Sequence, residues 1–285
     1  MDFITWAKSP WGQSIPEHVA WYIAGVAVIA ALCFMIVHSL YVGLFAPQKA
    51  FAKNEPPAAA AAIPDRVPRH SLAARIFHWV MAASMLTLLF TAFLPVLGVH
   101  FDWVLYHWIA GVVLTISIGF HIVHSFLMDP WSIWPDKADV RDSFRRLRRF
   151  VGKPAPPPKR FAKYPLENKL YHLCIVLTAL AVIATGLFMM KRIDTPFFTR
   201  NPYILSEMTW GLMYVLHGLA GVGLISLVMV HVYMGLRPEK LPITKSMLFG
   251  WMSKDFYLEE HDPNRWVVEP TSKPGEKNLA ASDAD

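Results

Sequence analysis

The chain has 285 residues, of which 54% are hydrophobic and only 17% charged, and it carries a net charge of +6. Soluble proteins carry about a quarter charged residues. The composition therefore excludes an ordinary soluble enzyme domain, a disordered tail protein and a disulfide scaffold.

The charge deficit sits in five stretches that lack Asp, Glu, Lys and Arg altogether: Val19 to Phe45, Ile76 to Val99, Trp103 to Met128, Leu170 to Met190 and Met208 to Leu236. Each has at least 21 residues, and a helix of about 20 crosses the hydrocarbon core. Helices are the open segments that cross it with every backbone group satisfied. The pattern predicts an all-α polytopic membrane protein with five spans. The first span is too long, and its flank too poor in Lys and Arg, for a cleaved signal peptide.

Between the first two spans, Pro56 to Ile63 reads PPAAAAAI, a linker. After the third, Asp136 to Val151 has the pattern of a basic amphipathic helix suited to anionic lipid, and Lys153 to Lys159 reads as a stiff spacer. Trp103, Trp108, Trp131, Trp134 and Trp210 suit an interfacial belt. The loops hold 23 Lys and Arg on one side and 4 on the other, which places the N-terminus outside and the C-terminal tail in the cytoplasm. Basic residues that lie between apolar spans argue against a nucleic-acid partner. Cys33 and Cys174, both in apolar stretches, are expected to be small buried hydrophobes. Two isolated cysteines cannot hold an iron–sulfur cluster, and no Cys-x-x-Cys-His is present for covalent haem.

Eight of the twelve histidines fall within the charge-free stretches. An ionisable group there is costly and marks function. His217 and His231 are 14 residues apart, as are His107 and His121. Fourteen helical steps return to within about 40° of the start after a rise of about 21 Å, so each pair faces one way at two depths. Residues 107–112 read HWIAGV and 217–222 read HGLAGV. Gly111 and Gly221 thus follow the outer histidines by one turn, where a missing side chain lets a flat macrocycle approach. A small-residue helix contact would use the same glycines.

Paired histidines at two depths suit two bis-histidine b-type haems in a helical bundle. Zinc would need more convergent ligands, and a proton relay does not explain the spacing. His78 and His121 both compete to partner His231 at the inner depth. His124 and His172 suit either structural hydrogen bonding or proton delivery to a quinone. His38 has no assigned role.

RIFHW from Arg75, LYHWIAG in the third span, KYPLENKLYH entering the fourth and LHGLAG through VMVH in the fifth resemble the di-haem cytochrome b (gamma) subunits of formate dehydrogenases. Related nickel–iron hydrogenase and thiosulfate reductase cytochromes share the pattern. The resemblance covers about residues 66 to 262 and implies an N-terminal extra helix and linker (1–65), a four-helix cytochrome b domain (66–262) and a flexible cytoplasmic tail (263–285). It implies an outer haem on His107 and His217 and an inner haem on His78 and His231, with His121 the alternative inner ligand. It also implies a quinone near Tyr164, Glu167, Asn168, His172 and His124. Pro165 stands where the family often has asparagine.

The expected task is electron transfer in a bacterial inner membrane, from an iron–sulfur subunit of a partner dehydrogenase to quinone. A hydrogenase or another molybdenum enzyme is the alternative partner, and a haem-free transporter or scaffold is the rival class. A primary-substrate site is not expected, since the chain lacks a nucleotide-binding glycine loop, a nucleophile elbow and a metal-hydrolase motif.

Overall fold

A computed structural model describes residues 2–45, 63–128, 131–157 and 159–268. Of the PPAAAAAI linker only Ile63 is among them, and residues 269–285 of the tail lie outside them. The helices run α1 (Trp21–Phe45), α2 (Leu72–Phe93), α3 (Trp103–Met128), α4 (Lys137–Phe150), α5 (Leu166–Met189), α6 (Glu207–Leu236), α7 (Leu241–Phe249) and α8 (Lys254–Glu260). Four short strands join them: β1 (Ile4–Lys8), β2 (Ser14–Val19), β3 (Arg66–Pro68) and β4 (Trp251–Ser253). The chain divides into two compact units of interleaved segments. One is Met1–Ala46, Ile76–Pro130 and Leu170–Arg237; the other is Pro47–Arg75, Trp131–Lys169 and Pro238–Asp285.

Five helices are long and apolar enough to cross a membrane: Trp21–Leu44, Leu72–Leu97, Trp103–Met128, Leu166–Arg192 and Glu207–Leu236. Several begin before the charge-free stretch does, and so take in Arg75, Glu167 and Lys169. A charge stops burial in lipid, but it does not stop a helix. Within the spans Ser84, Thr87, Thr115 and Thr178 donate to carbonyls of the preceding turn. That satisfies a hydroxyl where no water reaches. Cys33 and Cys174 are exposed, contrary to the expectation of burial: an apolar stretch that faces lipid is not a protein core.

The N-terminal hairpin is not signalled by the hydropathy pattern. β1 and β2 pair antiparallel from Ile4↔Val19 to Lys8↔Ser14 around Gly12, whose φ of 80° suits glycine. The hairpin packs on α6 where that helix has no side chain. A Cβ at Gly211 would fall on the Pro16 carbonyl oxygen, and one at Gly218 would touch Val19 at 3.4 Å. Trp210 is 1% exposed and donates to the Pro202 carbonyl at 2.7 Å, so it is a packing residue rather than part of an interfacial belt. α1 also lies along α6. Ser226 donates to the Ala27 carbonyl at 3.1 Å, and His38 Nδ1 meets the Tyr233 hydroxyl at 2.9 Å and Arg237 Nη1 at 2.7 Å. His38 is thus a brace between two helices. Among the described residues, no two of α2, α3, α5 and α6 make the close backbone contact that α1 makes with α6; they meet through side chains.

The second unit has its own small core. β3 pairs with β4 through Val67↔Met252, and these two pack with Tyr257 and Ile63. Asp136 caps α4 and forms a reciprocal capping box with Asp139. The inner face of α4 carries Asp139 and Asp142, both buried. Lys169 Nζ reaches Asp139 at 2.7 Å, and Arg265 Nη2 reaches the other oxygen of the same carboxylate at 2.7 Å. The outer face shows Lys137, Val140, Arg141, Phe144, Leu147 and Arg148 to solvent. Arg69 is buried. It donates to His261 Nε2 at 3.3 Å and to the Lys163 carbonyl at 3.2 Å.

Candidate functional site

Six of the eight span histidines gather in three facing pairs in the first unit. The ring centres of His107 (α3) and His217 (α6) are 6.1 Å apart. Those of His78 (α2) and His231 (α6) are 6.4 Å apart, and those of His121 (α3) and His172 (α5) 5.9 Å apart. The 14-residue spacing therefore puts His217 and His231 at two levels of α6, each opposite a histidine from another helix. His121 lies opposite His172 rather than opposite His231.

The His107–His217 pair is held by hydroxyls. Thr91 Oγ1 lies 2.8 Å from His107 Nδ1 and 2.8 Å from the Thr87 carbonyl. Thr185 Oγ1 lies 2.9 Å from His217 Nδ1 and 2.6 Å from the Ala181 carbonyl. A hydroxyl has one proton. The backbone carbonyl accepts it, so the oxygen lone pair accepts from the ring Nδ1–H. That fixes the tautomer and leaves Nε2 of each histidine as the lone-pair nitrogen. Gly186 lets α5 come this close: a Cβ there would stand 3.2 Å from His217 Cε1.

The His78–His231 pair is held differently. His78 Nδ1 is buried without a hydrogen-bond partner. The Tyr171 ring stacks on His231 with centres 5.5 Å apart and planes within 13°, and its hydroxyl donates to the Leu227 carbonyl at 2.8 Å. Phe77 packs against His121 at 4.8 Å and against His124 at 5.5 Å. Nothing lies within 4 Å of the place a Cβ would take at Gly221, and at Gly111 the nearest atom is Leu88 Cδ2 at 3.9 Å.

Among the quinone candidates, His172 and His124 belong to this histidine cluster. Tyr164, Glu167 and Asn168 belong to the second unit. There Arg69 and Lys163 lie over the Tyr164 ring, Arg146 approaches Glu167 at 3.7 Å, and Asn168 is exposed in the first turn of α5. Thr91, Thr185, Gly186 and Tyr171 were not foreseen from the sequence. Each acts on a histidine of a different helix, a relation that one chain read along its length does not show.

Residues 69–250 match the family described as prokaryotic cytochrome b561. The chain belongs to this family. The match spans α2 through α7 and leaves out the hairpin and α1. No curated protein matches the chain. As a member of this family it is a multi-pass membrane cytochrome b, which binds b-type haem and transfers electrons. The residues present fit that group. A nitrogen–metal bond is about 2 Å, so two such bonds and the half-widths of two imidazoles require about 6 Å between ring centres. The facing pairs have this separation, and nothing lies within 4 Å of the place a Cβ would take at Gly221.

Proposed function

We propose that the chain is the cytochrome subunit of a quinone-reducing dehydrogenase complex, formate dehydrogenase being the specific assignment. His107 and His217 would hold one b-type haem, and His78 and His231 a second. The observation that carries this reading is the pair of imidazole contacts 6.1 and 6.4 Å wide at two levels of one helix. His78 is preferred to His121 because it is the ring opposite His231. The order of the RIFHW, LYHWIAG, KYPLENKLYH and LHGLAG motifs supports the dehydrogenase assignment. The 23-to-4 distribution of basic residues supports a topology with the N-terminus outside, the His107–His217 level near the outer face and the His78–His231 level near the cytoplasm.

When bound, the haems supply one-electron redox chemistry between an outer iron–sulfur donor and the inner face. The chain's own part is to present neutral imidazoles, space them, and exclude water with apolar helices. Reduction of a quinone takes two electrons and two protons. Tyr164, Glu167, Asn168, His124 and His172 are the polar side chains proposed to contact it or relay protons from the cytoplasm.

The test is a dithionite-reduced minus oxidised spectrum of the purified membrane protein, with haem counted per chain, followed by formate-driven reduction in membranes that hold the partner subunits. Two b-type haems are expected. One haem would remove one of the two pairs from the proposal. Material without haem, made with ample haem supply, would overturn it.

A further inference from the structure

The two histidine pairs differ in one chemical respect: hydrogen bonding at Nδ1. Both rings of the His107–His217 pair donate Nδ1–H to a threonine oxygen, at 2.8 and 2.9 Å. At the other pair, His78 Nδ1 is buried and unpartnered, and the Tyr171 ring stacks on His231. A hydrogen bond donated from the remote nitrogen moves electron density towards Nε2 and makes it a stronger base. A stronger donor favours the ferric over the ferrous state of a bound iron, which lowers its reduction potential.

From this we infer that Thr91 and Thr185 are positioning residues: by accepting from Nδ1–H of His107 and His217 they lower the potential of a haem held by that pair. The inference rests on the haem-ligand reading above. The threonines touch neither iron nor quinone; they act through the histidines.

The experiment is a spectroelectrochemical titration of the purified full-length, haem-loaded protein. Wild type should titrate in two one-electron steps, and the step that His217→Ala loses belongs to the His107–His217 pair. Thr91→Val and Thr185→Val keep the side-chain shape and remove the acceptor. Each should change the ferric-to-ferrous balance of that step roughly threefold to tenfold, an upward shift of about 30–60 mV at 59 mV per tenfold. The haem count and the other step should stay where they were. Thr91→Ser and Thr185→Ser keep the hydroxyl and should leave the step unmoved. Valine variants that leave the step in place, or serine variants that shift it, would overturn the inference. Should one valine variant shed its haem, the other valine variant and the serine variants still decide. Wild type without two haems would count against the haem-ligand reading instead, so the two failures are distinguishable.

Discussion

The His107–His217 and His78–His231 pairs have nearly the same ring separation, 6.1 and 6.4 Å, but very different surroundings. The first is tied by threonine hydroxyls from α2 and α5; the second is propped by a tyrosine ring. Helix periodicity sets the separation along α6, because 14 residues bring two side chains to one face. The surroundings come from other helices and are independent of that period. Spacing and chemical tuning are therefore separate layers of the design, and each can be altered without the other.

The largest expected effect is the removal of one member of a pair. His217→Ala should abolish one of two haems and leave the other, and His78→Ala should do the reverse. His121→Ala should retain both. A pyridine haemochrome count on purified variants checks all three, and loss of haem from His121→Ala would reassign the inner ligand.

His261 sharpens the comparison from outside the pairs. Both its ring nitrogens are engaged by the protein: Nδ1 donates to the Ala162 carbonyl at 2.8 Å, and Nε2 accepts from Arg69. A histidine satisfied in this way has no nitrogen left for a metal. Burial, with the Arg69 cation beside it, pushes its pKa down to about 3. As the pH falls below the ordinary value of 6.5, the unfolded chain takes up a proton that the folded second unit refuses. Stability should therefore fall with pH between about 6.5 and about 3, by about 1.4 kcal/mol per pH unit. The Asp139 carboxyl would be raised by burial, but Lys169, the Asp136 backbone and Arg265 outweigh this and hold it below its ordinary 3.8. Its contribution is present above that value and is lost only at lower pH. Hydrogen exchange over β4 and α8 between pH 6.5 and 4.5 isolates the histidine. His261→Gln should flatten the dependence there.

Smaller effects test the layer around the paired histidines. Gly186→Ala puts a methyl 3.2 Å from His217 Cε1; overpacking of this kind costs about 1–3 kcal/mol. It should weaken haem retention at the His107–His217 pair alone, measured by haem loss on dilution into detergent. Tyr171→Phe keeps the stack on His231 and loses the bond to Leu227. A thermal melt should show a cost of about 1 kcal/mol with the haem count unchanged.

The five spans were legible because lipid tolerates so few charges that their absence outlines each helix. The ends were less so: α2 starts at Leu72 and α5 at Leu166, where charged residues continue the helix past the apolar stretch. The stacking of His217 and His231 on one face was legible from spacing alone, and α4 from its amphipathic pattern. The hairpin against α6 was not, because its anchor is an absence: Gly211, which carries no side chain to read. Thr91 and Thr185 look like any span hydroxyl that bonds to its own helix. Their second partner, a histidine on another helix, appears only once the helices are placed.

The inward turn of Asp139 and Asp142 has a consequence for the solution behaviour of α4. With those carboxylates buried and Asp136 tied to Arg265 at 3.1 Å, the helix shows the outside mainly cations and apolar side chains. Mild acid removes none of that positive charge, so its pull on an anionic surface is indifferent to pH. Dissolved salt does reach it: between 0.01 and 0.15 M the range of the field shrinks from about 30 Å to about 8 Å. This face of the protein is tuned by ionic strength and not by acidity.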